Sequence, residues 1–175
     1  MKTDMESTIF RTLKNSIWSQ FGASMDMLEN AIEACPEQIW QGEKAFSHQA
    51  FHTLFFLDYY LTLKPVGFAP PSNFTYSEFG EEPPVEIFSK VEILDYLLFC
   101  KSKFEKLLSE LNENLAEIRW INESKTMDYS ILEILLYNLR HVQHHVGQLN
   151  LMLRQQIDDS PRWVYRYGID PNFNS

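Results

Sequence analysis

The sequence predicts an all-α fold, a four-helix bundle with one long crossover connection, and three observations carry that prediction. Apolar residues recur at three- and four-residue spacing in four separate stretches. Five of the eight prolines fall between residues 65 and 84 and none lies between 85 and 160, so long helices are permitted on either side of one interrupted segment. No stretch alternates as a strand does, and there is no internal repeat or low-complexity tract. The expectation is a single domain over residues 1–175, with a core of about 4–157 and an irregular tail over 158–175.

In the first stretch, about Asp4 to Ala34, the residues Ile9, Phe10, Leu13, Ile17, Phe21, Met25, Leu28 and Ile32 form an apolar stripe behind a Thr3-x-x-Glu6 capping-box pattern. Cys35-Pro36 ends it. A second helix, about Lys44 to Leu63, carries His48, Phe51, His52, Phe55, Phe56, Tyr59 and Leu63 on one wide face. Residues 64–88 combine prolines and aromatics with Glu78, Glu81, Glu82 and Glu86 and show neither helical nor strand period. A connection this long reads as a lid, a binding loop or a crossover.

Ser89-x-x-Glu92 opens a third helix, with Val91, Leu94, Leu97, Leu98, Phe104, Leu107, Leu108 and Leu111 as its stripe and Lys101, Lys103, Glu105 and Lys106 on the side expected to be solvated. After a polar interval with Asn122, Glu123, Ser124 and Lys125, Ser130-x-x-Glu133 opens the fourth, which runs to about Gln156 and stops at Asp158-Asp159-Ser160-Pro161. The tail is expected to pack back through Trp163, Val164 and Tyr165.

The 15 basic and 24 acidic side chains leave a net charge of −9, which disfavours nucleic acid and anionic lipid as partners. The greasiest stretches are interrupted by Asp58, Asp95 and Lys101, so no bilayer-spanning helix is expected. The first residues lack the apolar block of a signal peptide, and the reading is a cytoplasmic protein. Cys35 and Cys100, with no CxxC, read as two free thiols. Forty-five per cent hydrophobic residues, with 13 Phe, 8 Tyr and 4 Trp, exclude disorder for most of the chain; the aromatic surplus hints at a homodimer face, but a core of this size can absorb most of it.

All five histidines lie in two places, His48 and His52 on the second helix and His141, His144 and His145 on the fourth. At about 100° per residue, His141 and His145 stand about 40° apart and one turn along the axis, so both imidazoles can meet one ion. They interrupt a stripe of Ile131, Ile134, Leu135, Asn138, His141, His145, Gln148 and Met152, in which a core-facing surface turns polar. His52, among Phe55, Phe56 and Tyr59, points inward as well. Three inward imidazoles require partners, whether one another, water or a shared cation. The paired carboxylates and Glu-x-x-His of di-iron bundles are absent, as is HExxH.

Two segments carry a resemblance. AFHTLFFLDYYL (50–61) and LRHVQHHVGQLNLML (139–153), the latter containing HxxHHxGQ, resemble the two motifs of the DinB-like superfamily, also called YfiT-like, over about residues 4–157. The resemblance implies a four-helix bundle in which one histidine of the second helix and an HxxxH pair of the last bind a divalent metal. Here those positions are His52, His141 and His145, and the family's metal is usually zinc or nickel. Three imidazoles with open positions suit either, as well as iron or cobalt.

Three protein ligands leave room for water or substrate, so the implied site is reactive rather than structural. The expected activity is metal-dependent chemistry on a small-molecule substrate, by hydrolysis or by transfer with a thiol cosubstrate. The alternative is a non-catalytic metal- or ligand-binding module, dimeric and without turnover. No catalytic residue is assigned. His48, Tyr59, Asn138 and Gln148 are the candidates around the site, Phe55 and Phe56 are expected to line its cavity with Tyr59, and the 64–88 segment to cover its mouth. His144 and Asp58 point elsewhere.

Overall fold

The computed structural model describes residues 2–42, 45–80 and 88–168, with side chains from Thr8 onward in the first of these. Four long helices form the bundle: α1 (Lys2–Ala34), α3 (Ala45–Leu61), α4 (Lys90–Glu110) and α6 (Ile131–Ile157). α3 packs on α6 and α4, and α1 packs on the same two, so the four close a square around one core. Two short helices, α2 (Glu37–Gly42) and α5 (Glu113–Glu117), and an antiparallel hairpin of β1 (Arg119–Ile121) and β2 (Asp128–Ser130) fill the connections. Among the described residues no helix is long and apolar enough to cross a membrane.

The helix ends are locally encoded. Ser89 caps α4 with the full capping box, its Oγ accepting from the Glu92 N–H while Glu92 Oε2 accepts from the Ser89 N–H at 2.8 Å. Ser130 accepts from the Glu133 N–H at 3.1 Å to start α6, and Asp158 ends it in the left-handed conformation with φ 56°. α1 already includes Lys2, so Thr3 lies inside the helix; the Thr3 to Glu6 side chains, and with them the expected capping box, lie outside the described residues.

Three expectations about faces are corrected. On α4 the buried residues are Ile93, Tyr96, Leu97, Cys100, Phe104, Leu107 and Leu108, while Val91 and Leu98 are exposed. Apolar residues surround α4 on most sides, and packing rather than hydropathy chose the phase. Lys101 and Lys103 are partly buried in ion pairs rather than free in solvent: Lys101 Nζ reaches Asp26 at 2.8 Å and Glu29 at 2.6 Å, and Lys103 Nζ reaches Asp58 Oδ1 at 2.5 Å. Asp58, 2% exposed, also accepts from Tyr96 Oη at 2.9 Å, so it is an interhelical acid with two partners. At the N-terminal end of the α1 stripe, Ile9 is exposed.

The polar interval before α6 is the hairpin turn, with Lys125 at φ 57°. Its Trp120 is fully buried and donates through Nε1 to the Thr62 carbonyl at 2.9 Å. Strands of three residues are too short to show a period, which is why they escaped the pattern.

The connection after α3 is built rather than loose. Turns close from Phe68 N–H to the Pro65 carbonyl and from Phe74 N–H to the Pro71 carbonyl. Phe74 and Phe88 are buried against Phe51 and Tyr96, and Trp40 of α2 donates to the Phe88 carbonyl at 2.9 Å. Glu81, Glu82 and Glu86 lie outside the described residues.

The tail does fold back, but of the three anchors expected only Val164 is buried; Trp163 and Tyr165 are exposed. Tyr167 does the docking: its ring meets Trp18 at 5.3 Å, its hydroxyl donates to Glu105 at 2.8 Å, and its backbone N–H donates to the Ser19 carbonyl. Gly22 makes this approach possible, since a Cβ there would sit 2.2 Å from the Tyr167 ring.

Candidate metal centre

α3 and α6 lie side by side, and that contact joins the two histidine segments. His52, His141 and His145 each offer a ring nitrogen, and the three nitrogens lie within 4.8 Å of one another. The ring centroids are 4.4 Å apart for His141 and His145, 4.9 Å for His52 and His145, and 5.8 Å for His52 and His141. All three residues are half-buried.

The core stripe of α6 is not the one the histidines occupy. Val142, Val146, Leu149 and Leu153 are buried, while His141, His145 and Met152 run along the flank of that stripe and Gln148 is exposed. The apolar stripe of a straight helix drifts slowly against its heptad, so two adjacent stripes share α6 beyond Asn138. The histidines therefore stand at the edge of the core, half-buried rather than enclosed in it.

Nitrogen accounting separates the two edges of each ring. His52 Nδ1 lies 2.9 Å from Glu78 Oε2. The carboxylate can only accept, so His52 carries a proton on Nδ1, and in the neutral ring that tautomer leaves Nε2 bare. His145 Nδ1 lies 2.7 Å from Gln148 Oε1 and 2.7 Å from Gln49 Nε2. Donation to Gln148 keeps Nε2 bare, whereas acceptance from Gln49 would place the proton there. Among the described residues His141 Nε2 is buried with no hydrogen-bond partner, an omission that costs about 1–3 kcal/mol unless something fills it.

Burial disfavours the protonated form of two of these rings, His141 and His145. Burial is the largest influence on His141, followed by His145 and His52; with a backbone hydrogen bond to Thr53 acting the other way, its pKa falls to about 3. Burial also lowers His145, against the bond to Gln148. Neutral imidazoles with bare nitrogens are what a divalent first-row ion accepts, and an orphaned buried nitrogen facing two others is a place such an ion would satisfy.

The remaining candidates divide. Gln148 reaches a histidine of the cluster. Asn138 instead ties α6 to α3, its Nδ2 donating to the Leu57 carbonyl at 3.0 Å while its Oδ1 is buried without a partner among the described residues. His48 Nε2 lies 3.0 Å from Glu78 Oε1, outside the cluster, and His144 is exposed with its ring 5.0 Å from that of His145.

Of the expected cavity wall, Phe56 is against the histidines, 4.9 Å from His52 and 5.8 Å from His141. Phe55 and Tyr59 turn toward Phe68 and Phe79. Tyr59 lines a cavity of about 530 Å³ with Pro65, Phe68, Phe79, Asn122, Glu123 and Ser124, none of them a histidine. Seven residues beyond His52, Tyr59 shares its face but stands roughly 10 Å along the helix.

Two residues at the site escaped the sequence reading, Glu78 and Gln49. Glu78 sits on an aperiodic segment, and the only trace of it was an excess of glutamates there. Gln49 stands three residues before His52, so helical spacing alone could have found it.

A family model described as DinB family matches residues 11–166. No curated protein matches the chain.

Proposed function

The chain belongs to the DinB family, and on that premise we propose that it binds one divalent metal, zinc or nickel, through Nε2 of His52, His141 and His145 and uses it on a small-molecule substrate. The observation that carries the reading is the convergence of three imidazoles from two helices within 4.8 Å, with the His141 Nε2 buried and without a hydrogen-bond partner among the described residues.

The residues around the cluster have definite tasks in this reading. Glu78 and Gln148 hold the protons of His52 and His145 on Nδ1. The rings of Phe56 and Tyr60 stand against His141 at 5.8 Å and exclude water from that side. Half-buried histidines at the core's edge leave the opposite side for substrate. A bound divalent ion supplies Lewis acidity toward a water or a substrate thiol. Hydrolysis and thiol-dependent transfer both need that acidity, and the substrate panel decides between them.

The test is elemental analysis of protein purified without contact with an affinity metal, followed by turnover assays on activated esters, amides and pairs of a thiol with an electrophile. Stoichiometric zinc or nickel with turnover of one class is expected. Absence of stoichiometric metal, even after incubation with excess zinc, overturns the reading; metal without turnover reduces it to a binding module.

A further inference from the structure

Glu78 does more than fill space over the site. It lies on the connection between α3 and α4, its side chain is 8% exposed, and its two oxygens take different histidines of α3. Oε1 accepts from His48 Nε2 at 3.0 Å and Oε2 accepts from His52 Nδ1 at 2.9 Å. His48 and His52 are one helical turn apart, so a single carboxylate spans them without strain. Both contacts require donor nitrogens, and a carboxylate with two occupied oxygens has its orientation set from two sides.

We propose that Glu78 is the positioning residue of the metal centre: delivered by the crossover segment and braced by His48, it locks His52 in the tautomer and ring orientation that present Nε2 to the ion. The inference rests on the metal reading above for its consequence, but the lock itself is a property of the metal-free protein. Imidazole ligands whose second nitrogen donates to a carboxylate are more basic and better oriented, and loss of such a partner typically lowers metal affinity 10- to 100-fold. His48, which is outside the cluster, acts through Glu78 alone.

The experiment has a metal-free and a metal-bound arm. In the metal-free protein, nitrogen-15 imidazole spectra should show His52 as the Nδ1–H tautomer, and Glu78→Ala should abolish that preference. Zinc affinity, read by competition with a chelating dye, should fall 10- to 100-fold in Glu78→Gln and Glu78→Ala, fall less in His48→Ala, and recover in part in Glu78→Asp. The electronic spectrum of bound cobalt(II) should shift in Glu78→Gln, a change that loss of packing alone would not produce.

An unchanged His52 tautomer in Glu78→Ala overturns the inference, and so does zinc affinity equal to that of the unaltered chain in both Glu78 variants. A chain that binds no zinc at all sinks the metal reading instead, and the tautomer spectra then still decide whether Glu78 orients His52.

Discussion

Gln148 Oε1 stands 2.7 Å from His145 Nδ1, three residues back on α6, so a residue able to accept that ring's Nδ1 proton is carried by the same helix as the ring. Gln49 Nε2 approaches the same nitrogen from α3. Only donation to Gln148 leaves His145 as a metal donor. Gln148→Leu is expected to lower zinc affinity about tenfold with little effect on folding, because Gln148 is exposed; dye competition measures it, and an unchanged affinity means that Gln148 has no part in orienting the ring.

The two adjacent histidines of α6 should behave oppositely. His145→Ala is expected to remove stoichiometric metal, whereas His144→Ala, at an exposed position, should retain it. Elemental analysis of both variants checks this, and the reverse pattern would refute the ligand assignment.

The metal-free protein should lose stability on mild acidification through His141. Its folded pKa, about 3, lies below the ordinary value of 6.5. The unfolded chain thus takes up the proton first, and the stability present above pH 6.5 drains away toward pH 3. From pH 7 to pH 5 this one group accounts for on the order of 2 kcal/mol. Urea midpoints at the two pH values should show a smaller drop in His141→Leu than in the parent; parallel drops contradict the assignment.

Lys103→Met leaves Asp58 buried at 2% exposure with Tyr96 as its remaining side-chain partner. Removing one member of a buried pair typically costs about 3–5 kcal/mol. Part of Lys103 reaches solvent, so the lower end is expected, read as the shift in urea denaturation. Lys103→Met combined with Asp58→Leu should recover much of it.

Gly22→Ala places a methyl group where the Tyr167 ring sits. Alanine favours the helix by about 1 kcal/mol, so overall stability should change little while the tail undocks. Trypsin cleavage after Arg166 should accelerate; an unchanged rate would mean that the tail is held elsewhere.

The parts of this fold that could be read in the sequence are those whose signal is local. Ser89 with Glu92, and Ser130 ahead of Glu133, encode helix starts within four residues, and the spacing of His141 to His145 encodes a shared face within one turn. What could not be read depends on a partner far along the chain. The solvation of Lys103 is settled by Asp58 on another helix, the phase of α4 by what packs on Ile93 and Tyr96, and the role of Glu78 by a crossover segment that carries no period. Tyr59 shows the remaining gap: helical angle put it with His52, but distance along the axis sends it to another cavity.

Cys35 and Cys100 are free and buried, and burial pushes Cys35 up to about 11 and Cys100 well above the usual thiol range. At neutral pH the thiolate fraction of both is very small, so the folded chain should react slowly with thiol-counting reagents. Rapid loss of sulfhydryl from a reaction mixture then reports on an added thiol, and its stoichiometry can be followed without first masking or mutating the chain's own sulfur.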